Sequence, residues 1–212
     1  MIGAVKKKLS VLAVGPHPDD LEIGCAGTLL QLARAGHSVH LAVMTQGGAG
    51  GDGARRWAEQ RAVAAHYKAK SLRWLGFEDT KVPMDKGGID VLEAVIRAVK
   101  PDLVFAPWGE DTHQDHRRTS AIVRSATRYT PNVLFYEVPS TIEFLPDVYV
   151  DITKTFAAKV TALKLHRSQV HKVNVADLSI IDCARSMAQF RGYQGRVKAA
   201  EGFKALRLRL SF

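Results

Sequence analysis

Short apolar runs alternate along this chain with longer segments whose apolar residues recur at helical spacing. Residues 9–14 form a compact run rich in valine and leucine, which predicts a buried strand, and residues 24–32 follow with a helical period. Gly36 marks a turn, after which residues 37–44 alternate into a second strand. A helix is expected over residues 55–68, a short third strand over 71–75, a polar stretch over 76–88 and another helix over 89–99. Pro101 closes that helix, because its ring excludes Lys100 from the helical region. Residues 103–106 read as a fourth buried strand, a further helix starts at His113, and residues 133–138 supply a fifth strand. Beyond it the pattern weakens into a loop over 140–147, an edge strand over 149–152, helices over 154–166 and 179–191, and a half-exposed final strand over 206–210. This order predicts an α/β fold: a Rossmann-like, doubly wound, mostly parallel sheet flanked by helices, in a single domain over residues 1–212.

Composition narrows the setting. With 212 residues, 46% of them hydrophobic, the chain can bury a sizeable core and fits one domain more easily than two. Cys25 and Cys183 are its only cysteines, which removes a disulfide framework and a thiolate zinc site and makes both expected small buried residues. Lys6, Lys7 and Lys8 precede an apolar run of strand length that leads into a polar motif without a signal-peptide cleavage pattern, and no run is long enough to span a membrane. A reducing, cytoplasmic setting is the expectation. The formal charge of +9 is spread over the whole chain, as on a solvated surface, and no helix-turn-helix, zinc-finger or RNP pattern accompanies it. Nucleic acid is therefore not an expected partner.

The chemistry concentrates in two places. His17-Pro18-Asp19-Asp20 lies between the first strand and the first helix, where an open α/β sheet collects ligand-binding side chains. Adjacent carboxylates at Asp19 and Asp20 invite a metal ion or a raised pKa on one of them. The plainer alternative is an Asp that caps the helix, which leaves His17 without a role. His113-Gln114-Asp115-His116 follows the fourth strand, and in the common order 3-2-1-4-5 the two clusters stand at adjoining strand ends. His17 with Asp20, and His113 with His116, both repeat a three-residue step that puts the members of a pair on one face of a helical turn. Two imidazoles and a carboxylate suit zinc with an open position for water, and the same set also serves ferrous iron. Residues 46–53 are glycine-rich but lack both the Gly-x-Gly-x-x-Gly spacing and the Gly-Lys-Ser/Thr ending of phosphate-binding loops, so they read as a mobile rim loop.

Residues 16–29 and 112–117 resemble the two signature motifs of the LmbE-like or PIG-L family of metal-dependent N-acetylglucosaminyl de-N-acetylases. Weaker agreement runs through Arg56-Trp57-Ala58-Glu59, residues 164–169 and Ala200-Glu201-Gly202-Phe203. Gln114 stands where the family often has proline, which leaves the ligand spacing intact. The resemblance implies that His17, Asp20 and His116 bind the metal, that Asp19 is the general base, and that His113 stabilises the oxyanion or donates a proton. Asp115 is expected to orient one of the histidines, its alternative being an exposed carboxylate at a helix start. Arg56 is expected to bind the sugar or an anionic aglycone, its alternative being a solvated arginine paired with Glu59 or Gln60. Glu22 profits from its place early in a helix. The C-terminal part is expected to shape the substrate pocket, with His166, His171 and Tyr136 as contacts or as structural residues. The implied partner is a small N-acetylated sugar, and a homo-oligomer is expected. A catalytically silent sugar-binding relative would keep the fold without needing metal, and a basic nucleic-acid-binding protein would exploit the surface charge.

Overall fold

The computed structural model describes residues 8–173 and 175–209. Its elements run β1 (Ser10–Gly15), α1 (Asp20–Gly24), α2 (Ala26–Arg34), β2 (Ser38–Thr45), a 3-10 turn (Gly48–Gly50), α3 (Gly53–Tyr67), β3 (Ser71–Phe77), α4 (Lys86–Val99), β4 (Leu103–Pro107), α5 (Gln114–Ala126), β5 (Val133–Tyr136), β6 (Val148–Asp151), α6 (Phe156–Leu165), α7 (Ile180–Gly195) and β7 (Ala200–Arg207). The strands form one seven-stranded sheet in the order β3-β2-β1-β4-β5-β7-β6. The first five are parallel in the anticipated 3-2-1-4-5 arrangement, and β7 runs antiparallel to both β5 and β6.

Alternation along β1 shows why the sheet is covered on both faces. Val11 and Ala13 join a core completed by Leu29 of α2, Val63 of α3, Leu163 of α6 and Ala184 of α7. Leu12 and Val14 point the other way, into a core shared with Leu92 of α4 and Ile122 of α5. A strand buried on both sides has no polar face, which is why it reads as a continuous apolar run.

Three elements depart from the sequence pattern. The helix expected over 24–32 is two helices: α1 starts at Asp20, and Cys25, with φ −143°, breaks the path before α2. The break turns the start of α2 toward β7, where the Glu201 carboxylate accepts from Gly27 N and Thr28 N at 2.8 Å each and from Thr28 Oγ1. Helix α4 begins at Lys86, inside the stretch read as polar, because the Asp85 side chain caps it by accepting from Gly88 N. The final strand begins at Ala200, since Ala200–Phe203 is wholly buried and does not alternate; Leu210 of the expected strand lies outside the described residues. Cys25 is buried as expected, and Cys183 is half-buried. No helix among the described residues is long and apolar enough to cross a membrane.

Lys159 of α6 ties this arrangement together. Its ammonium group donates to Glu201 Oε1 and to Ile23 O, both at 2.7 Å, with both side chains of the pair almost fully buried. Removing one member of such a pair strands a charge in the interior. Lys159→Met is expected to cost about 3–5 kcal/mol of stability, read from the shift in urea midpoint at constant m-value. Lys86→Ala, at the exposed pair with Asp90, should move that midpoint far less.

Candidate metal centre

Strands β1 and β4 are parallel neighbours, so the turns that leave their carboxyl ends open onto the same edge of the sheet. The first turn delivers His17, Asp19 and Asp20; the second delivers Asp111, His113, Asp115 and His116. One ligand atom each from His17, Asp20 and His116 lies within 4.8 Å of the others, and all three residues are buried. His17 Nδ1 stands 3.2 Å and His116 Nε2 3.4 Å from Asp20 Oδ2. Donors around a tetrahedral zinc at ~2.0–2.1 Å stand about 3.3 Å apart, so the set fits such an ion. A second group, His17 with His113 and Asp115, also converges, but there Asp115 is engaged by Thr80 N at 2.7 Å and Val82 N at 3.4 Å.

The far nitrogen of each imidazole in the first group is held by carboxylates. His116 Nδ1 lies 3.1 Å from Asp111 Oδ2, and His17 Nε2 lies 2.9 Å from Asp79 Oδ1 and 3.3 Å from Asp115 Oδ2. Such partners fix ring orientation and raise basicity toward a cation. Asp115 is fully buried, which removes its reading as an exposed helix-start carboxylate. Asp111 also accepts from His113 N at 2.8 Å and Thr141 Oγ1 at 3.1 Å. Sequence reasoning missed Asp111 and Asp79. Asp111 had a signal, standing two residues before His113, whereas Asp79 follows β3 in a stretch with no motif.

The electrostatics ask for positive charge. Burial pushes the Asp20 carboxyl up, yet the His116 and His17 imidazoles outweigh it and hold Asp20 far below the carboxylate range. Burial opposes protonation of His116, but Asp20 and Asp111 raise its pKa to about 9, and Asp115, Asp20 and Asp79 raise His17 likewise against burial. Without a metal ion both rings would therefore hold protons, which is the balance a divalent cation can take over.

Asp19 is set apart from this cluster. It occupies the N-cap position of α1 yet makes no side-chain cap bond, and its backbone is left-handed, with φ 99°. A non-glycine residue held there stores roughly 1–3 kcal/mol of strain, so the capping explanation fails. Its neighbours are Arg56, with Nη2 3.4 Å from Oδ2, and Gln60, whose Oε1 accepts from Asp19 N at 3.3 Å. Burial, then the charge of Asp20, raises its pKa to about 6 against the pull of Arg56. His113 caps α5 by accepting from Asp115 N through Nδ1, which leaves the ring proton on Nε2. Burial and the neighbouring His17 and His116 rings lower its pKa and keep it neutral.

Arg56 is buried, contrary to its solvated alternative. Nη1 donates to Gly47 O and Nη2 to Pro18 O, both at 2.8 Å, while Glu59 and Gln60 bond elsewhere. It lines, with His17, Asp20, Asp79, His113 and His116, a cavity of about 400 Å³. The glycine-rich loop closes onto it and is pinned by Ala49 N donating to Asp79 Oδ2. Tyr136 is buried with its hydroxyl donating to Val14 O, and His166 is buried against Glu22, so both are structural; His171 lines a separate cavity.

The chain is similar to known proteins over most of its length. A family model described as "PIG-L: GlcNAc-PI de-N-acetylase" matches residues 12–127. The "Uncharacterized deacetylase YaiS" of Escherichia coli K12 is 33% identical over 177 residues, covering 79% of this chain and 96% of that protein. Diacetylchitobiose deacetylase of Thermococcus kodakarensis is 29% identical over 75% of this chain and 69% of its own. The structure of N,N'-diacetylchitobiose deacetylase from Pyrococcus horikoshii in complex with its inhibitor MPG matches with a TM-score of 0.80 at 28% identity, over 92% of this chain and 83% of that one. With the family model spanning both histidine–aspartate clusters and the intervening helices, the chain belongs to the PIG-L, or LmbE-like, family.

Proposed function

We propose that this protein is a metal-dependent hydrolase that removes the N-acetyl group from an N-acetylated amino sugar or glycoside of the N-acetylglucosamine type. The observation that carries the reading is the buried His17, Asp20 and His116 donor set with the Asp19 carboxylate beside it, unspent on capping. Relatives whose names specify sugar deacetylation supply the substrate class. Zinc is the metal proposed, and ferrous iron suits the same donors.

A divalent ion held by His17, Asp20 and His116 supplies a Lewis acid for the acyl oxygen and lowers the pKa of water. The chain's own residues do the rest. Asp19 takes the proton of the attacking water as its oxygen bonds to the acyl carbon, and returns it to the amine nitrogen as the C–N bond breaks, releasing acetate. General-base help of this kind contributes about a hundred- to ten-thousandfold. His113, neutral with its proton on Nε2, donates to the acyl oxygen as charge develops there. Arg56 keeps positive charge against Asp19 and meets the substrate at the cavity wall. Asp111, Asp115 and Asp79 hold the two ligand rings in place.

Three outcomes test this reading. His17→Ala and His116→Ala should each lose stoichiometric metal in elemental analysis of the purified protein; retention of both metal and activity would overturn the ligand assignment. Asp19→Asn should keep its metal while kcat for primary-amine release falls about a hundred- to ten-thousandfold, whereas Asp20→Asn should lose the metal itself. The reverse pattern would exchange the two roles. Arg56→Ala should raise KM much more than it depletes metal, and unchanged kinetics on every accepted substrate would remove Arg56 from the binding site.

A further inference from the structure

The metal cavity has a neighbour. A second cavity, of about 520 Å³, lies between the 3-10 turn, the start of α3 and the end of β3, and shares Ala49, Asp79 and Thr80 as a common wall with the first. Its largest lining side chain is Trp74, 46% exposed on the sheet's edge strand, where a buried-core role does not account for it. The cavity lined by His171 and Lys172 shares only Gly50 with the metal cavity.

The wall chemistry selects a ligand. An indole face matches the C–H face of a pyranose, and the Gln46 carboxamide and Glu78 carboxylate in the same wall can bond ring hydroxyls. No Lys or Arg is among the described residues lining it, and Lys81, outside the wall, pairs with Glu78 at 2.7 Å. A phosphate or carboxylate aglycone would face Glu78 and Asp79 without a cation, whereas a neutral sugar meets no such repulsion.

We propose that this cavity is the subsite for a neutral pyranose ring adjoining the acetylated residue, stacked on Trp74, so that the preferred substrate is a disaccharide or longer. This inference rests on the deacetylase reading for the reaction but concerns a site that reading does not use.

The experiment compares kcat/KM for N,N'-diacetylchitobiose and for N-acetylglucosamine, beside calorimetric titration of the metal-loaded protein with the fully deacetylated disaccharide, which cannot turn over. Trp74→Ala should lower the disaccharide-to-monosaccharide ratio about tenfold and weaken binding of the deacetylated disaccharide by a similar factor, the size of one aromatic stack, and Trp74→Phe should restore most of both. Gly48→Leu provides a second variant: Gly48 lines this cavity alone, and a Cβ there meets no atom within 4 Å, so the added side chain fills the cavity without an internal clash. It should lower the same ratio. Equal losses on both substrates, no loss on either, undetectable binding of the deacetylated disaccharide to the unmodified protein, or a change in oligomeric state in place of selectivity would each overturn the subsite. Absent amine release with binding that still depends on Trp74 would instead overturn the deacetylase reading and leave the subsite standing.

Discussion

The constraint on which this structure turns is an excess of buried negative charge at one sheet edge. Asp19, Asp20, Asp79, Asp111 and Asp115 converge there, and the fixed cation among them is Arg56. Carboxylates are not left uncompensated in a protein interior, because the desolvation of a charge costs far more than one hydrogen bond returns. Asp20 is the hub. Its Oδ2 accepts from the His17 backbone at 3.0 Å and faces both imidazoles, so the turn after β1 and the start of α5 are held against a single oxygen. Each imidazole passes the demand outward, to Asp111 on one side and to Asp115 and Asp79 on the other. A divalent ion held by His17, Asp20 and His116 would answer that demand, and the outer carboxylates would then orient the rings.

The same logic continues below the site, where the N-terminal and C-terminal halves are joined by buried acid–base contacts. Glu22, fully buried, accepts from His166 Nε2 at 2.8 Å, Tyr67 Oη at 3.1 Å and Gln60 Nε2 at 3.3 Å. Burial opposes a charge on His166, but Glu22 prevails and raises its pKa. Because Gln60 also accepts from Asp19 N, this network reaches the backbone of the residue held at φ 99°. Glu59 receives Ser168 through both N, at 2.9 Å, and Oγ, at 2.6 Å. Glu201 with Lys159 is a further buried contact of this kind. Left-handed backbone at a non-glycine residue persists only where its surroundings over-determine it, and these contacts are the surroundings.

That network also explains what could and could not be read from the sequence. The order of β1 to β5 was legible because buried parallel strands leave uninterrupted apolar runs, and the meeting of the two histidine–aspartate clusters was legible because both follow strands that adjoin in the common doubly wound order. The weak motifs around Glu59, His166, Ser168 and Glu201 were visible as resemblance without a role, since each acts through a partner more than 100 residues away. Asp79 left no trace at all: its importance comes from where the end of β3 brings it, 2.9 Å from His17. The split between α1 and α2 was hidden for a local reason. Gly24 lies so close to the Tyr136 ring that an added Cβ would stand 2.1 Å from Cδ2, so the break and the glycine answer to a strand far along the chain.

The glycine-rich loop shows how composition alone can mislead about charge. A phosphate-binding loop turns successive N–H groups inward around an anion. Here the loop turns a carbonyl, from Gly47, to the Arg56 guanidinium, and spends Ala49 N on the Asp79 carboxylate. Glycine is needed because the backbone passes so close to that cation. A Cβ on Gly47, at φ 68°, would lie 2.2 Å from Arg56 Nη1, and one on Gly50 would lie 2.6 Å from it. The loop is thus wrapped on a cation, and that cation faces Asp19. Through Asp79, which takes Ala49 N on one oxygen and His17 Nε2 on the other, the loop's position is coupled directly to His17 of the candidate donor set. A residue with a side chain at Gly47 would push the guanidinium from Asp19 and the loop from Asp79 in the same displacement, so Gly47 is tied to the candidate donor set through both contacts.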